Sequence, residues 1–121
     1  MARRLIWVGS CKKDFLAFPE GVRREISFAL HLAQKGEKAE NVKPFKAFSG
    51  ASVLEIVERG SSGTYRFVYA VRFQTGIYAL HAFQKKSPSG VGIPRQHFEM
   101  IERRLKEATD IDARENRGSS E

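Results

Sequence analysis

The stretch that decides the fold is VLEIVERGSSGTYRFVYAVRFQTGIYALHAFQKK, residues 53 to 86. It contains three runs rich in β-branched and aromatic residues, Val53 to Arg59, Thr64 to Phe73 and Ile77 to Lys85. GSSG and QTG separate them, and short glycine-bearing connections of this kind close hairpins. A three-strand antiparallel meander is predicted. Successive side chains of a strand point to opposite faces, so Tyr65, Phe67, Tyr69, Val71 and Phe73 share one side of the middle run. Arg66, Val68, Ala70 and Arg72 share the other. An aromatic row of that size is expected to bury against helices, which leaves the arginine face open. In the first run Leu54 and Ile56 join the core, while Glu55 and Arg59 fall on the open side. The third run is ambiguous, because Tyr78 and Leu80 on one face and Ile77 and Phe83 on the other are all large and apolar.

Upstream, Leu5 to Val8 reads as a short strand closed by Gly9, and Ser10 is placed to cap a short helix ended by Pro19. From Glu20 to about Lys35 the residues Val22, Ile26, Ala29, Leu30 and Ala33 recur at helical spacing, with Gly36 as a stop. A connecting stretch follows, in which Phe45 and Phe48 are expected to pin the loop to the core. Downstream, Pro94 opens a last helix whose stripe is Phe98, Ile101, Leu105 and Ala108, up to Thr109. The order is strand, two helices, three-strand meander and C-terminal helix. It predicts one α+β domain over residues 1–109, with helices on one sheet face and a flexible polar tail over residues 110–121.

Composition narrows the partners. Lys and Arg number 21 against 14 Asp and Glu, a net charge of +7 with a pI near 9.9. The last twelve residues hold four acids and two bases, so the surplus on the expected domain is larger still. A basic compact domain favours polyanions, nucleic acid before membrane. The single cysteine, Cys11, forms no internal disulfide, no Cys/His cluster has metal-ligand spacing, and no apolar run is long enough to cross a bilayer. A cytoplasmic protein with no cofactor is expected.

Lys85 and Lys86 end the third strand side by side. Charges at a sheet margin commonly discourage edge pairing. With Arg66 and Arg72 on the neighbouring strand, the same lysines can instead line one anion-binding hollow.

The segments YRFVYAV and YALHAFQKKS, followed by a proline-initiated helix, resemble the phage-derived, HigB-like branch of the RelE toxin superfamily. The resemblance runs from RLIWVGSCKKDFLAFPEGVRREI to IERRLKEA. It implies a RelE-like sheet with a basic concave surface, cleavage of mRNA on the ribosome, and a cognate antitoxin, usually of helix-turn-helix, HigA-like type. It also implies that Arg66, Lys85 and Lys86 occupy the basic active-site positions. ParE-like relatives of the same superfold inhibit gyrase instead, so a non-nuclease toxin or phage regulator that binds such a machine is the alternative.

Metal-independent RNA cleavage uses the substrate's 2′-hydroxyl as nucleophile and needs cations on the phosphate oxygens. Arg66 suits two of those oxygens and a lysine suits the leaving oxygen. For proton transfer the candidates are His81, otherwise a structural strand histidine, and Glu55, otherwise an ion-pair partner of Arg66. Arg59 and Arg72 are expected to bind RNA from the open face. Arg95 and His97 lie in the first turn of the last helix, where free backbone N–H groups attract anions. Trp7 is expected in the core, and Cys11 lacks a base that would make it a nucleophile.

Overall fold

A computed structural model of the chain describes residues 2–45, 52–85 and 93–119. The meander forms as expected: β3 (Val53–Gly60), β4 (Gly63–Ala70) and β5 (Ile77–Lys85), with Gly60 opposite Gly63 across a two-residue turn. Two further strands flank it. The first strand, β1 (Leu5–Trp7), runs parallel to β5, and β2 (Val42–Pro44) pairs antiparallel with β3. The sheet therefore has five strands in the order β1-β5-β4-β3-β2. It is mixed: the meander is antiparallel as predicted, and β1 adds one parallel pairing at the edge. Residues 42–44 carry no strand signal of their own, because the VKP tripeptide becomes a strand only through its partner on β3.

Between β1 and β2 lie α1 (Cys11–Leu16) and α2 (Glu20–Gln34). The buried residues of α2 are Val22, Ile26, Ala29, Leu30 and Ala33, the five that helical spacing selects. They pack with Phe15, Leu54, Ile56, Tyr65, Phe67 and Tyr69 in one core cluster. Phe67 is its centre, meeting Trp7 at 5.8 Å and Phe15 at 5.6 Å, both edge to face, the arrangement aromatic quadrupoles favour. Trp7 thus lies against the core.

The other face of the sheet is not open along its length. A second cluster joins Val53, Val68, Ala70, Tyr78, Leu80 and Phe83 to Ile101 and Ala108 of α3 (Arg95–Ser119). Helices therefore cover both faces, correcting the expectation of one covered face. Val68 and Ala70, small enough to suggest an exposed surface, are instead the seat for α3. Nor does α3 stop at Thr109. It continues through residue 119: Ile111 packs on the core, Asp112 accepts from Thr75 N at 2.9 Å and Oγ1 at 2.6 Å, and Glu115 pairs with Arg4 at 3.2 Å. Acids that read as a frayed tail are its hooks.

A β-bulge explains the ambiguous parity of β5. Tyr69 pairs with Ala79 and Val68 with His81, so Leu80 is the extra residue. An inserted residue shifts the alternation, and Leu80 and His81 both turn toward α3. Phe45 is buried as expected, whereas Phe48 lies outside the described residues.

Candidate functional site

Register places the site at the end of the sheet that extends beyond the start of α3. On the α3 face Arg66 of β4 stands directly opposite Phe83 of β5, and Lys85 stands opposite Thr64. Arg66 and Lys85 are therefore diagonal neighbours, on the order of 7 Å apart at ordinary sheet spacing. On the other flank Arg66 faces Val57, with Arg59 opposite Thr64 and exposed at the rim. Period-two alternation thus brings Glu55, Arg59, Arg66 and Lys85 to one surface. Lys86 lies outside the described residues.

Arg66 is held by a carboxylate. Its Nη1 donates to Glu55 Oε2 at 3.0 Å, and their side chains are only 15% and 7% exposed. Lys43 of β2 approaches the other carboxylate oxygen at 3.8 Å from a more exposed position. Arg66 Nε is buried and has no hydrogen-bond partner among the described residues. Without substrate, Glu55 thus sits between two cations.

His97 reaches the same surface from α3. Its ring stacks on Phe83 with centroids 4.3 Å apart and planes 16° apart, so it is adjacent to the residue opposite Arg66. Burial lowers its pKa from the ordinary imidazole value. Pro94 starts the helix by offering its carbonyl to His97 N, which leaves the positive end of the α3 dipole near Phe83. Arg95, at the first helical position, is exposed and pairs with Glu99 at 3.4 Å.

His81 lies behind this surface, only 6% exposed. Its Nε2 is 2.9 Å from His97 Nδ1, and its Nδ1 is 3.3 Å from Arg104 Nη1. Burial, then the Arg104 charge, pushes its pKa down to about 4, so it is neutral at physiological pH. The expectation of a proton-transfer group meeting substrate therefore does not fit its position. Arg72 is also elsewhere. β4 ends at Ala70, and Arg72 lies in the following loop over the Phe73 ring at 5.0 Å. It is six positions from Arg66, about 20 Å at strand spacing. Burial drives the Cys11 thiol up to about 12, which removes it as a nucleophile at neutral pH. Among the described residues no group of three or more His, Cys, Asp and Glu is placed to hold a metal ion, and no helix is long and apolar enough to cross a membrane. A groove of about 490 Å³ lined by Glu25, Phe28, Leu32 and Glu58 opens elsewhere and includes none of these site residues.

Arg104 was not singled out from sequence. It is buried, donating to Leu80 O at 3.0 Å and to Ser10 Oγ at 2.8 Å. Ser10 donates in turn to Asp14 Oδ2 at 2.9 Å, in place of the expected helix cap. The signal was available: Arg104 lies three residues after Ile101 and four before Ala108, on the apolar stripe itself.

The profile of the family described as phage derived protein Gp49-like (DUF891) matches residues 13–106, most of the chain. The chain belongs to this family. No curated protein matches it. Among solved structures it is similar to a mutant of the E. coli toxin RelE in the free state, at 19% identity and a TM-score of 0.57 over 88% of this chain and 98% of that one. At that identity the likeness establishes a RelE-like fold and nothing of the chemistry. The matched span of the Gp49-like family includes Arg66, the β5 strand and Arg104.

Proposed function

We propose that this Gp49-like protein is the toxin of a type II toxin–antitoxin pair, of the HigB-like kind, and that it cleaves mRNA on the ribosome without a metal. The observation that carries the reading is the placement of Arg66 and Lys85 on one sheet surface beside Phe83, with Glu55 against Arg66 and His97 over Phe83. A protein that only binds a partner has no need for convergent cations around one carboxylate.

In the proposed reaction the RNA 2′-oxygen attacks the adjacent phosphorus. The O2′–P bond forms, the P–O5′ bond breaks, and the departing 5′-oxygen takes a proton from solvent, so that a 2′,3′-cyclic phosphate and a 5′-hydroxyl result. Arg66 and the Lys85–Lys86 doublet neutralise the non-bridging and leaving oxygens as charge builds on them. Glu55 is the group in position to take the 2′-hydroxyl proton once phosphate displaces it from Arg66. Arg59, Arg95 and His97 contact the flanking backbone, whereas Arg72 is too distant to share in it. The partners under this reading are mRNA on the ribosome and a HigA-like antitoxin.

Induced expression tests the reading. Truncated mRNAs with an intact chromosome support it, and Arg66→Ala is expected to abolish both cleavage and growth arrest. A DNA-damage response with intact mRNA points to the gyrase-directed alternative, and wild-type cleavage by Arg66→Ala sinks the assignment of the site.

A further inference from the structure

The hydrogen bonds around Arg104 allow one distribution of hydrogens on the two histidines of the site. A guanidinium donates and never accepts. With Arg104 Nη1 at 3.3 Å, His81 Nδ1 must therefore present a lone pair, which places the ring hydrogen of His81 on Nε2. That Nε2 lies 2.9 Å from His97 Nδ1 and must donate to it. His97 Nδ1 accepts, so its own hydrogen sits on Nε2, on the side of the ring away from His81. Arg104 has little freedom to turn, since it also donates to Leu80 O at 3.0 Å and to Ser10 Oγ at 2.8 Å, and it is 6% exposed.

The same contacts oppose a charge on either ring. Protonated His97 would point Nδ1–H at the Nε2–H of His81, and protonated His81 would point Nδ1–H at Arg104. The surroundings do not offset this. Asp14 of α1 is the acid that favours a charged His81, but it faces Arg104 through Ser10. Near His97 the cations Arg66, Lys85 and Arg95 stand beside Glu55 and Glu99, and both of those acids are already paired with arginines.

We infer that His97 is a neutral hydrogen-bond donor to a phosphate oxygen of the RNA through Nε2–H, with His81 and Arg104 as the positioning residues that fix its tautomer. Neither histidine transfers a proton in the reaction. The donor role rests on the ribonuclease reading, but the tautomers do not. A neutral imidazole fixed in this way stabilises oxygen charge across the physiological range without competing for the substrate's proton.

Nitrogen-15 NMR of the intact protein tests the network without reference to activity. Both rings are expected to remain neutral Nε2–H tautomers from pH 5.5 to 8, and titration of either within that range overturns the inference. A 2′-deoxy oligonucleotide, which cannot be cleaved, is expected to shift the His97 Nε2–H signal. Binding without that shift removes the donor role, and no binding either free or on ribosomes sinks the nuclease reading while leaving the tautomers decided. In cleavage assays His97→Ala is expected to lose about a hundredfold in rate. His97→Gln, which restores a neutral N–H, should recover at least part of it, and a neutral-range limb in the wild-type pH profile that disappears with His97 refutes the idea. Arg104→Met frees His81 Nδ1, so His97 should begin to titrate nearer 6.5. If that variant does not fold, His81→Phe deletes the donor to His97 and is judged by the same titration.

Discussion

Replacing Glu55 with glutamine tests how the charge at the site is held. Glu55 and Arg66 are 7% and 15% exposed and meet at 3.0 Å, so the pair is largely desolvated. Coulomb's law at an effective dielectric of 20 gives roughly 5 kcal/mol of gross attraction at that distance, most of which is offset by taking both charges out of water. Glutamine keeps an oxygen to accept from Arg66 but leaves the guanidinium uncompensated. The expected net loss is about 2 kcal/mol, within the range for a hydrogen bond to a charged group. For a domain of this size that corresponds to a fall in Tm of roughly 8 °C. Circular dichroism melts of Glu55→Gln, Arg66→Gln and the double variant provide the measurement, and the cycle should return a coupling of about 2 kcal/mol. Lys43→Ala is the control. Its amine is exposed and 3.8 Å from the carboxylate, so its loss should cost less than about 1 kcal/mol. If Glu55→Gln melts no lower than Lys43→Ala, or the cycle shows no coupling, Arg66 is not held by Glu55 and the geometry assigned to the site is wrong.

Three further outcomes are expected. Gly9 has φ +58°, and a Cβ there would fall 2.8 Å from Arg104 Nε, so Gly9→Ala should destabilise by about 2 kcal/mol and disturb both histidine signals in NMR. Thr75 hydrogen bonds hold the Asp112 carboxyl below its usual pKa, and Asp112→Ala should speed amide exchange at the end of α3 while leaving exchange in β4 unchanged. His81 binds a proton only near pH 4 when folded but near 6.5 when unfolded, so the unfolded chain takes up more protons between those values. Stability should accordingly fall by up to about 3 kcal/mol as pH drops from 6.5 to 4. His81→Phe should flatten that part of the Tm–pH curve.

Residues 53–85 and α2 were legible because their information is local: glycines punctuate the meander, and Val22 to Ala33 keep helical period against one face. What escaped is non-local. β2 exists because Val42, Lys43 and Pro44 find Ile56, Glu55 and Leu54, partners ten or more positions away. The second covered face was hidden because Val68 and Ala70 look like neutral surface beside two arginines, yet they are small so that Ile101 and Ala108 can approach. In β5, alternation failed at Leu80 because a bulge breaks the rule on which alternation rests. The end of α3 was missed for a related reason. Its stabilising groups are carboxylates that meet Thr75 and Arg4, and apolar periodicity does not register them.

The candidate site follows the same division. Alternation put Glu55, Arg59 and Arg66 on one face, and register added Lys85, whereas Arg72 was lost because β4 ends two residues before it. Neither period nor composition could reveal that the two partly or wholly buried arginines act differently. Arg104 is spent internally on Leu80, Ser10 and His81, where its charge holds a ring in one tautomer. Arg66 is paired with a carboxylate beside the surface, and its buried Nε has no partner among the described residues. For Arg66 to grip a phosphate, that anion must replace Glu55 rather than simply join it, since two anions on one guanidinium repel each other. Binding then releases the one carboxylate placed to accept a proton at the moment substrate arrives. Glu55→Gln should for this reason tighten the uncleavable oligonucleotide while abolishing cleavage. If affinity is unchanged or weakened, binding does not proceed through that exchange.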